Sequence, residues 1–534
     1  MKNRLLFIII ICFLNCNAFS KEIPSDDFEA WYASLSENEK IAQVFVTGIK
    51  RKTLAKDEKQ LLKKWPLGGV IYFKRNYRNP SQFINLHKEI LSSTKIKPFT
   101  FTDQEGGDVV RIGTPYDAPT PLSVGMLKSA KVTNYLGQAY GSLLSDLGIA
   151  SNLAPVVDVR SKSSLDFIST RSFSSSPKVV ANMSLQLSKG MLASGVIPTL
   201  KHFPGLGGVK TDSHKELAVK KTTYSKISKN DWLPYKKHAK AGIPFFVMTS
   251  HTQLILDNKD YGIVTYSPDA LKLLRKTTSQ SQVAITDDLE MGGAKIQSAF
   301  GEAAYKSFMA GHDLILIGWA GEKLKSSLNF FKKHSKDPKF KARLKESLAR
   351  LYILKQKQGS FKGIASQFSK HGSLKLTSVL NSKISAYLLD KEVSKIISRK
   401  PASSNEYFYF SSDRFFRRSF SSKNHSSLLS SSAKFINSKC QDKTCVLHLS
   451  GAKTADKIHS ILSQENPENF IVLNSADPHL LSPEHLNKIK MINSYTKSYA
   501  LSKQVRTLLE GHSSGKKRPR PEKVAVTGMK KAPL

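Results

Sequence analysis

A chain of 534 residues, 40% hydrophobic and 23% charged, is long for one domain, comfortable for two, and rich enough in apolar residues to build real cores. The formal net charge of +40 predicts electrostatic attraction to acidic wall polymers and other polyanions. The lysines are scattered along amphipathic stretches rather than gathered with interleaved aromatics, which argues against a specific nucleic-acid module.

In chain order, residues 1–20 read as an export signal. Lys2 and Arg4 form its charged start, Leu5 to Leu14 its apolar run, and Ala18-Phe19-Ser20 its cleavage site. The run is short for a membrane span, and no later segment reads as one. A lipoprotein signal using Cys16 is the second reading; Asn15 fits it poorly. Either way the chain is expected to be exported, to the periplasm.

From 21 to 356, eight apolar runs alternate with amphipathic stretches. The runs are "AQVFVTGI", "GGVIYF", "KPFTFTD", "IASNLAPVVDV", "VIPTLKHF", "IPFFVMTSH", "SQVAITDD" and "HDLILIG". Helices are predicted over 81–94, 122–147, 177–194, 229–241, 267–278 and 294–310. Gly148, Gly195, Gly242 and Gly311 sit at C′ positions. Eight β/α alternations predict an α/β fold, a closed (β/α)8 barrel, with an open doubly wound sheet as the alternative. A barrel demands catalytic groups at the C-terminal ends of its strands. Asp103, Asp158, Lys201-His202, His251 and Asp287-Asp288 all fall there.

Residues 357–376 read as a linker. Over 377–512, the strand-like runs "NEYFYFSS", "TCVLHLS" and "NFIVLNS" alternate with helical stretches near 380–398, 454–464 and 483–493, which predicts a smaller α/β sandwich-like domain. Cys440 and Cys445 are placed for a small-loop disulfide in an oxidising compartment. Residues 513–534 read as a basic flexible tail.

Chemistry concentrates in "KHFPGLGGVKTDSH", residues 201–214. A carboxylate at Asp212 raises the pKa of His214 toward neutrality, so the pair can give a proton and take it back. Gly205, Gly207 and Gly208 would let such a loop swing over a ligand; the plain alternative is a solvated polar loop. In "AITDDLEMGGA", Asp287 ends an apolar strand, rigidly placed to attack an electrophilic sugar carbon. The plain alternative there is a helix cap, a role that also suits Asp288. A rigid nucleophile and a separate proton donor are the minimum for retaining glycoside hydrolysis and require no cofactor or metal.

"KHFPGLGGVKTDSH" resembles the KHFPGHG-xxxx-DSH signature of bacterial β-N-acetylglucosaminidases (β-N-acetylhexosaminidases) of glycoside hydrolase family three. "GGVIYFKRNY", "FTDQEGGDVVRI", "NLAPVVDV", "STRSF", "VMTSH", "ITDDLEMGGA" and "AGHDLIL" resemble further blocks of that family, in order, over residues 40 to 317. The resemblance implies that Asp287 is the nucleophile, that His214 with Asp212 is the acid/base, and that Asp103, Arg111, Arg171, Lys201 and His202 bind the sugar. Arg171 paired with Asp158, and His202 as a satisfied barrel-mouth histidine, are the structural alternatives. Leu206 stands where the family has His, and Thr170 where it has Glu.

The expected partner is therefore a glycan containing N-acetylglucosamine, of peptidoglycan or chitin type, trimmed from its end. Rival readings are a β-glucosidase or β-xylosidase of the same broad family, a non-catalytic glycan-binding protein, and a metal-dependent hydrolase using Asp212, His214 and His251.

Overall fold

The apolar runs form the strands β1 (Phe45–Gly48), β2 (Gly69–Tyr72), β3 (Phe99–Thr102), β4 (Ser151–Asn152), β5 (Ile197–Phe203), β6 (Phe246–Thr249), β7 (Val283–Thr286) and β8 (Ile315–Ile317). Every residue in them is buried, as strands covered by helices outside and by one another inside must be. The structure is a computed structural model. It describes residues 26–114, 118–161, 168–209, 216–294 and 298–360. In the C-terminal part it describes 381, 407–410, 425–426, 444–449, 456, 458, 460–461, 470–474 and 490–493.

The eight strands pair in parallel, each with its sequence neighbours, and β1 pairs back onto β8 (Phe45 opposite Ile315). A bridge between Ile285 and Leu314 joins β7 to β8 and closes the ring. The closed barrel, rather than the open sheet, is the architecture. Rings such as Phe99, Phe101 and Phe246 meet edge-on in its core, with centroids 5.3 Å apart for both pairs that include Phe246.

The helices start where local chemistry satisfies their first N–H groups. The helix Pro268–Thr277 has Ser267 accepting from the Ala270 N–H and Pro268 at its first position; Pro80–Ser92 has Asn79 and Pro80 in the same roles. The predicted C′ glycines at 148, 195, 242 and 311 all have positive φ, the left-handed conformation that terminates a helix cheaply only without a Cβ. The expected helix 122–147 is two, Pro121–Leu127 and Ala130–Asp146, because Lys128 turns left-handed and Ser129 caps the second. The expected helix 229–241 is likewise Tyr224–Lys229 followed by Leu233–Lys240, and 294–310 narrows to Phe300–Ala310.

On the C-terminal rim, a three-stranded sheet of Ala218–Thr222, Thr252–Leu256 and Lys259–Ile263 follows β5 and β6. Farther along, β9 (Tyr407–Phe410), β10 (His425–Ser426), β11 (Thr444–Leu449), β12 (Phe470–Asn474) and β13 (Lys490–Asn493) form a parallel sheet in the order β10-β9-β11-β12-β13. Residues 490–493, expected as helix, are strand because Met491 and Ile492 pair beside Val472 and Leu473. Cys445 is buried in β11 and disulfide-bonded; Cys440 lies outside the described residues. Among the described residues no helix is long and apolar enough to cross a membrane.

Candidate active site

The C-terminal mouth of the barrel holds a cavity of about 380 Å³. Its polar lining comes from the ends of β3, β5 and β7 and the loops after β3 and β4: Asp103, Glu105, Arg111, Arg171, Lys201, His202, Asp287 and Asp288. All six sequence-assigned residues that lie in the described part converge here. Asp212 and His214 lie outside the described residues.

One wall is a charge network. Lys201, the fifth residue of β5 and buried, places its Nζ 2.7 Å from both Asp103 Oδ1 and Glu105 Oε1. The Arg171 guanidinium donates to Glu105 through two nitrogens, at 2.8 and 2.9 Å, the planar fork that arginine makes with a carboxylate. Burial alone would raise the Glu105 carboxyl; Arg171 and Lys201 more than offset it and hold the group well below the usual carboxylate range. Burial acts against both cations too, but the carboxylates hold Lys201 and Arg171 firmly protonated. Arg111 reaches Asp103 only at 3.8 Å, and its Nε is buried with no hydrogen-bond partner among the described residues. The Arg111–Asp103 pair is thus the loosest contact of the network.

The opposing wall is built on His202. A carboxylate can only accept, so the imidazole Nδ1–H donates to Asp158 Oδ2 at 2.7 Å and the Nε2 is left as the other ring nitrogen. Asp158 Oδ1 also accepts the backbone N–H of Leu206 at 2.7 Å. Burial works against ionisation of Asp158, but His202 and these N–H groups bring its pKa below the ordinary value. Arg171 therefore does not pair with Asp158; it pairs with Glu105, and Asp158 is the orienting partner of His202. Between these residues the Lys201–His202 peptide bond is cis.

The floor carries Asp287. Its backbone N–H donates to the Thr249 carbonyl at 3.0 Å, fixing the residue to the end of β6, and its Oδ1 accepts the Asp288 N–H at 2.8 Å. Burial alone would raise this carboxyl, but His202, His251, the Asp288 N–H and Lys201 outweigh it and keep Asp287 ionised. Asp288 caps no helix. Its Oδ1 accepts the N–H groups of Glu290 and Gly318, both at 3.0 Å, tying the floor to the end of β8. Burial dominates there and pushes its pKa up to about 6. His251 spends both ring nitrogens on Thr265 Oγ1 and the Asp288 carbonyl, at 2.7 and 2.8 Å.

The stem of the loop after β5 is clamped. Trp232 Nε1 donates to the Pro204 carbonyl, and Lys220 Nζ donates to the Gly207 carbonyl at 2.6 Å while pairing with Asp231 at 2.8 Å. A Cβ on Gly205 would collide with Asp231, and one on Gly207 with the Val159 carbonyl. These two glycines serve close packing rather than the swinging expected of them; a Cβ on Gly208, at φ +75°, would meet Ser161 at an ordinary 3.8 Å. Leu206 is 1% exposed and packs with Val156 and Ile168. Leu206, one of the two departures from the family pattern, is therefore a core residue here.

The family profile described as the glycosyl hydrolase family 3 N terminal domain matches residues 36–352. The chain belongs to glycosyl hydrolase family 3. A curated beta-hexosaminidase A of Pseudoalteromonas piscicida is 33% identical over 288 residues, 50% of this chain and 48% of that protein, so the chain spans about half of that relative's length. A beta-hexosaminidase of Tolumonas auensis is 30% identical over 265 residues, 49% of this chain and 78% of that one. The solved glycoside hydrolase family 3 beta-N-acetylglucosaminidase of a Paenibacillus species superposes with a TM-score of 0.77 at 22% identity, over 90% of this chain and 97% of that one. That likeness is one of fold. Within the family 3 barrel, sequence reasoning missed Glu105. Its signal was its place in "FTDQEGG", two residues past Asp103 and ahead of a double glycine.

Proposed function

We propose that this family 3 chain is an exported, retaining exo-hydrolase of terminal β-linked N-acetylglucosamine, acting on peptidoglycan-type or chitin-type saccharides. The observation that carries the reading is the division of labour among the pocket carboxyls. Asp287 is ionised and free of salt bridges among the described residues, as a nucleophile at an anomeric carbon needs. Asp103 is tied to Lys201, and Glu105, held well below the usual carboxylate range, to both Lys201 and Arg171, so each is spent on a cation. Asp288 is engaged by two backbone N–H groups. A retaining reaction still needs a proton donor, and His214 supported by Asp212 supplies it from the loop that follows β5.

In this mechanism Asp287 bonds to C1 from one face as His214 protonates the departing glycosidic oxygen. A water then gives its proton to His214 and displaces Asp287, restoring the starting configuration. Asp103, Arg111, Arg171, Lys201 and His202 hold the hydroxyls of the terminal sugar; the relatives' name, beta-hexosaminidase, supports a hexosamine there, and the name of the Paenibacillus structure, beta-N-acetylglucosaminidase, supports N-acetylglucosamine. The test is release of 4-nitrophenol from its β-N-acetylglucosaminide and β-glucoside, with Asp287→Ala and His214→Ala alongside. Cleavage of the N-acetyl sugar alone, lost in both variants and with β-configured first product, is the expected outcome. Cleavage of neither sugar, or full activity in His214→Ala, overturns it.

A further inference from the structure

Trp319 stands out on the rim. It follows β8 and is 49% exposed, the most exposed large apolar side chain among the described residues. A stray surface tryptophan would be free to swing, but this one is fixed from beneath. The Arg75 guanidinium stacks on it, with Cζ 3.8 Å from the ring centroid. Arg75 is in turn pinned by hydrogen bonds to the Ile49 and Gly318 carbonyls, both at 3.0 Å, and lies over the Phe73 ring at 4.2 Å. The Trp319 backbone N–H donates to Glu290 at 2.8 Å, and Glu290 is held by Lys323. The layers Phe73–Arg75–Trp319 form a rigid stack that ends in an open indole face.

The stack adjoins the cavity. Phe73, Asp288 and Leu316 all line it, and Gly318, the residue before Trp319, is bonded to the Asp288 carboxylate beside Asp287. The terminal sugar would occupy the closed, charged end among Lys201, Asp103, Glu105 and Arg171. What emerges past Asp287 toward the rim is the leaving side of the scissile bond. Pyranose rings carry apolar C–H faces that pack on indole, and a pre-fixed aromatic loses little freedom on binding.

We propose that Trp319 is the platform of an aglycone subsite, on which the sugar ring on the leaving side of the scissile bond stacks. The proposal rests on the glycosidase reading above and adds that the natural substrate carries a pyranose, not a small or aliphatic group, next to the bond that breaks. Arg75 is the positioning residue that holds the indole.

The decisive measurement is binding of non-hydrolysable thio-linked N,N′-diacetylchitobiose, by calorimetry, to the full chain and to Trp319→Ala and Trp319→Phe, with free N-acetylglucosamine as the one-ring control. The disaccharide should bind the wild type more tightly than the single sugar. Trp319→Ala should remove about tenfold of that affinity, with the control unchanged and Trp319→Phe largely rescued. Equal affinity of the wild type for the two ligands, or no loss in Trp319→Ala, overturns the subsite. Tight, Trp319-dependent binding by a wild type that hydrolyses nothing upholds the platform while sinking the catalytic reading.

Discussion

The barrel buries two clusters in which acids meet several cations, one at each end, and they are finished differently. At the N-terminal end Asp313 is fully sealed: Arg275, Arg343 and Arg350 approach within 2.9 to 3.2 Å, and Ser347 and the Ala284 N–H fill its remaining lone pairs. Burial would raise its pKa, but the three guanidiniums hold the carboxyl well below the usual range. At the mouth, Asp103 and Glu105 meet Lys201, Arg111 and Arg171, yet Arg111 comes only within 3.8 Å of Asp103 and its buried Nε has no hydrogen-bond partner among the described residues. A saturated cluster fastens helices to strands. An unsaturated one is still able to bind, and it lies at the end where barrels carry out chemistry.

That contrast can be broken by substitution. The largest effect is expected from Asp313→Ala, which strands three buried guanidiniums and should cost about 3–5 kcal/mol, read as a drop in Tm. Glu105→Gln comes next: it should lower stability by roughly 1–3 kcal/mol and kcat/KM on the chromogenic N-acetylglucosaminide by more than that stability loss explains, because Lys201 and Arg171 lose the anion that aligns them. Unchanged kinetics would make Glu105 a second Asp313. Arg111→Ala should leave unfolding within about 0.5 kcal/mol of wild type while raising KM; a large stability loss would mean the mouth cluster is as closed as the other.

A last effect is one of pH, confined to a window in the acid range. Burial raises the Asp288 carboxyl from its ordinary 3.8 to about 6. Between those values the native chain keeps a proton that the unfolded chain has released, so this group costs the fold stability as pH rises through the window, at most about 1.4 kcal/mol per pH unit. Asp288→Asn should flatten that part of a stability-versus-pH curve; an unchanged slope would assign it to other groups.

The strands were legible because eight apolar runs, each too short for a buried helix, recur at the spacing of β/α units. The site was legible as far as polar residues closed those runs: Asp103, Lys201, His202 and Asp287. Glu105 was not, since it lies past the strand end in what reads as a glycine-rich turn, and its partner Arg171 is 66 residues away. The break at Lys128–Ser129 was hidden because apolar spacing continues across it, and only the capping serine betrays it. Lys490–Asn493 misled for a different reason: its four residues become strand only through the β12 edge they join.

The clamped stem after β5 has a consequence for engineering. Pro204, Leu206 and Gly207 are each held by a hydrogen bond to a residue outside the loop, and Ala218 begins a strand paired with Thr252–Leu256. Gly208 and Ala218 thus bracket a cassette. Exchanging the residues between these two posts for the matching segment of a related chain is expected to leave the stem, and β7 with Asp287 at its end, unchanged.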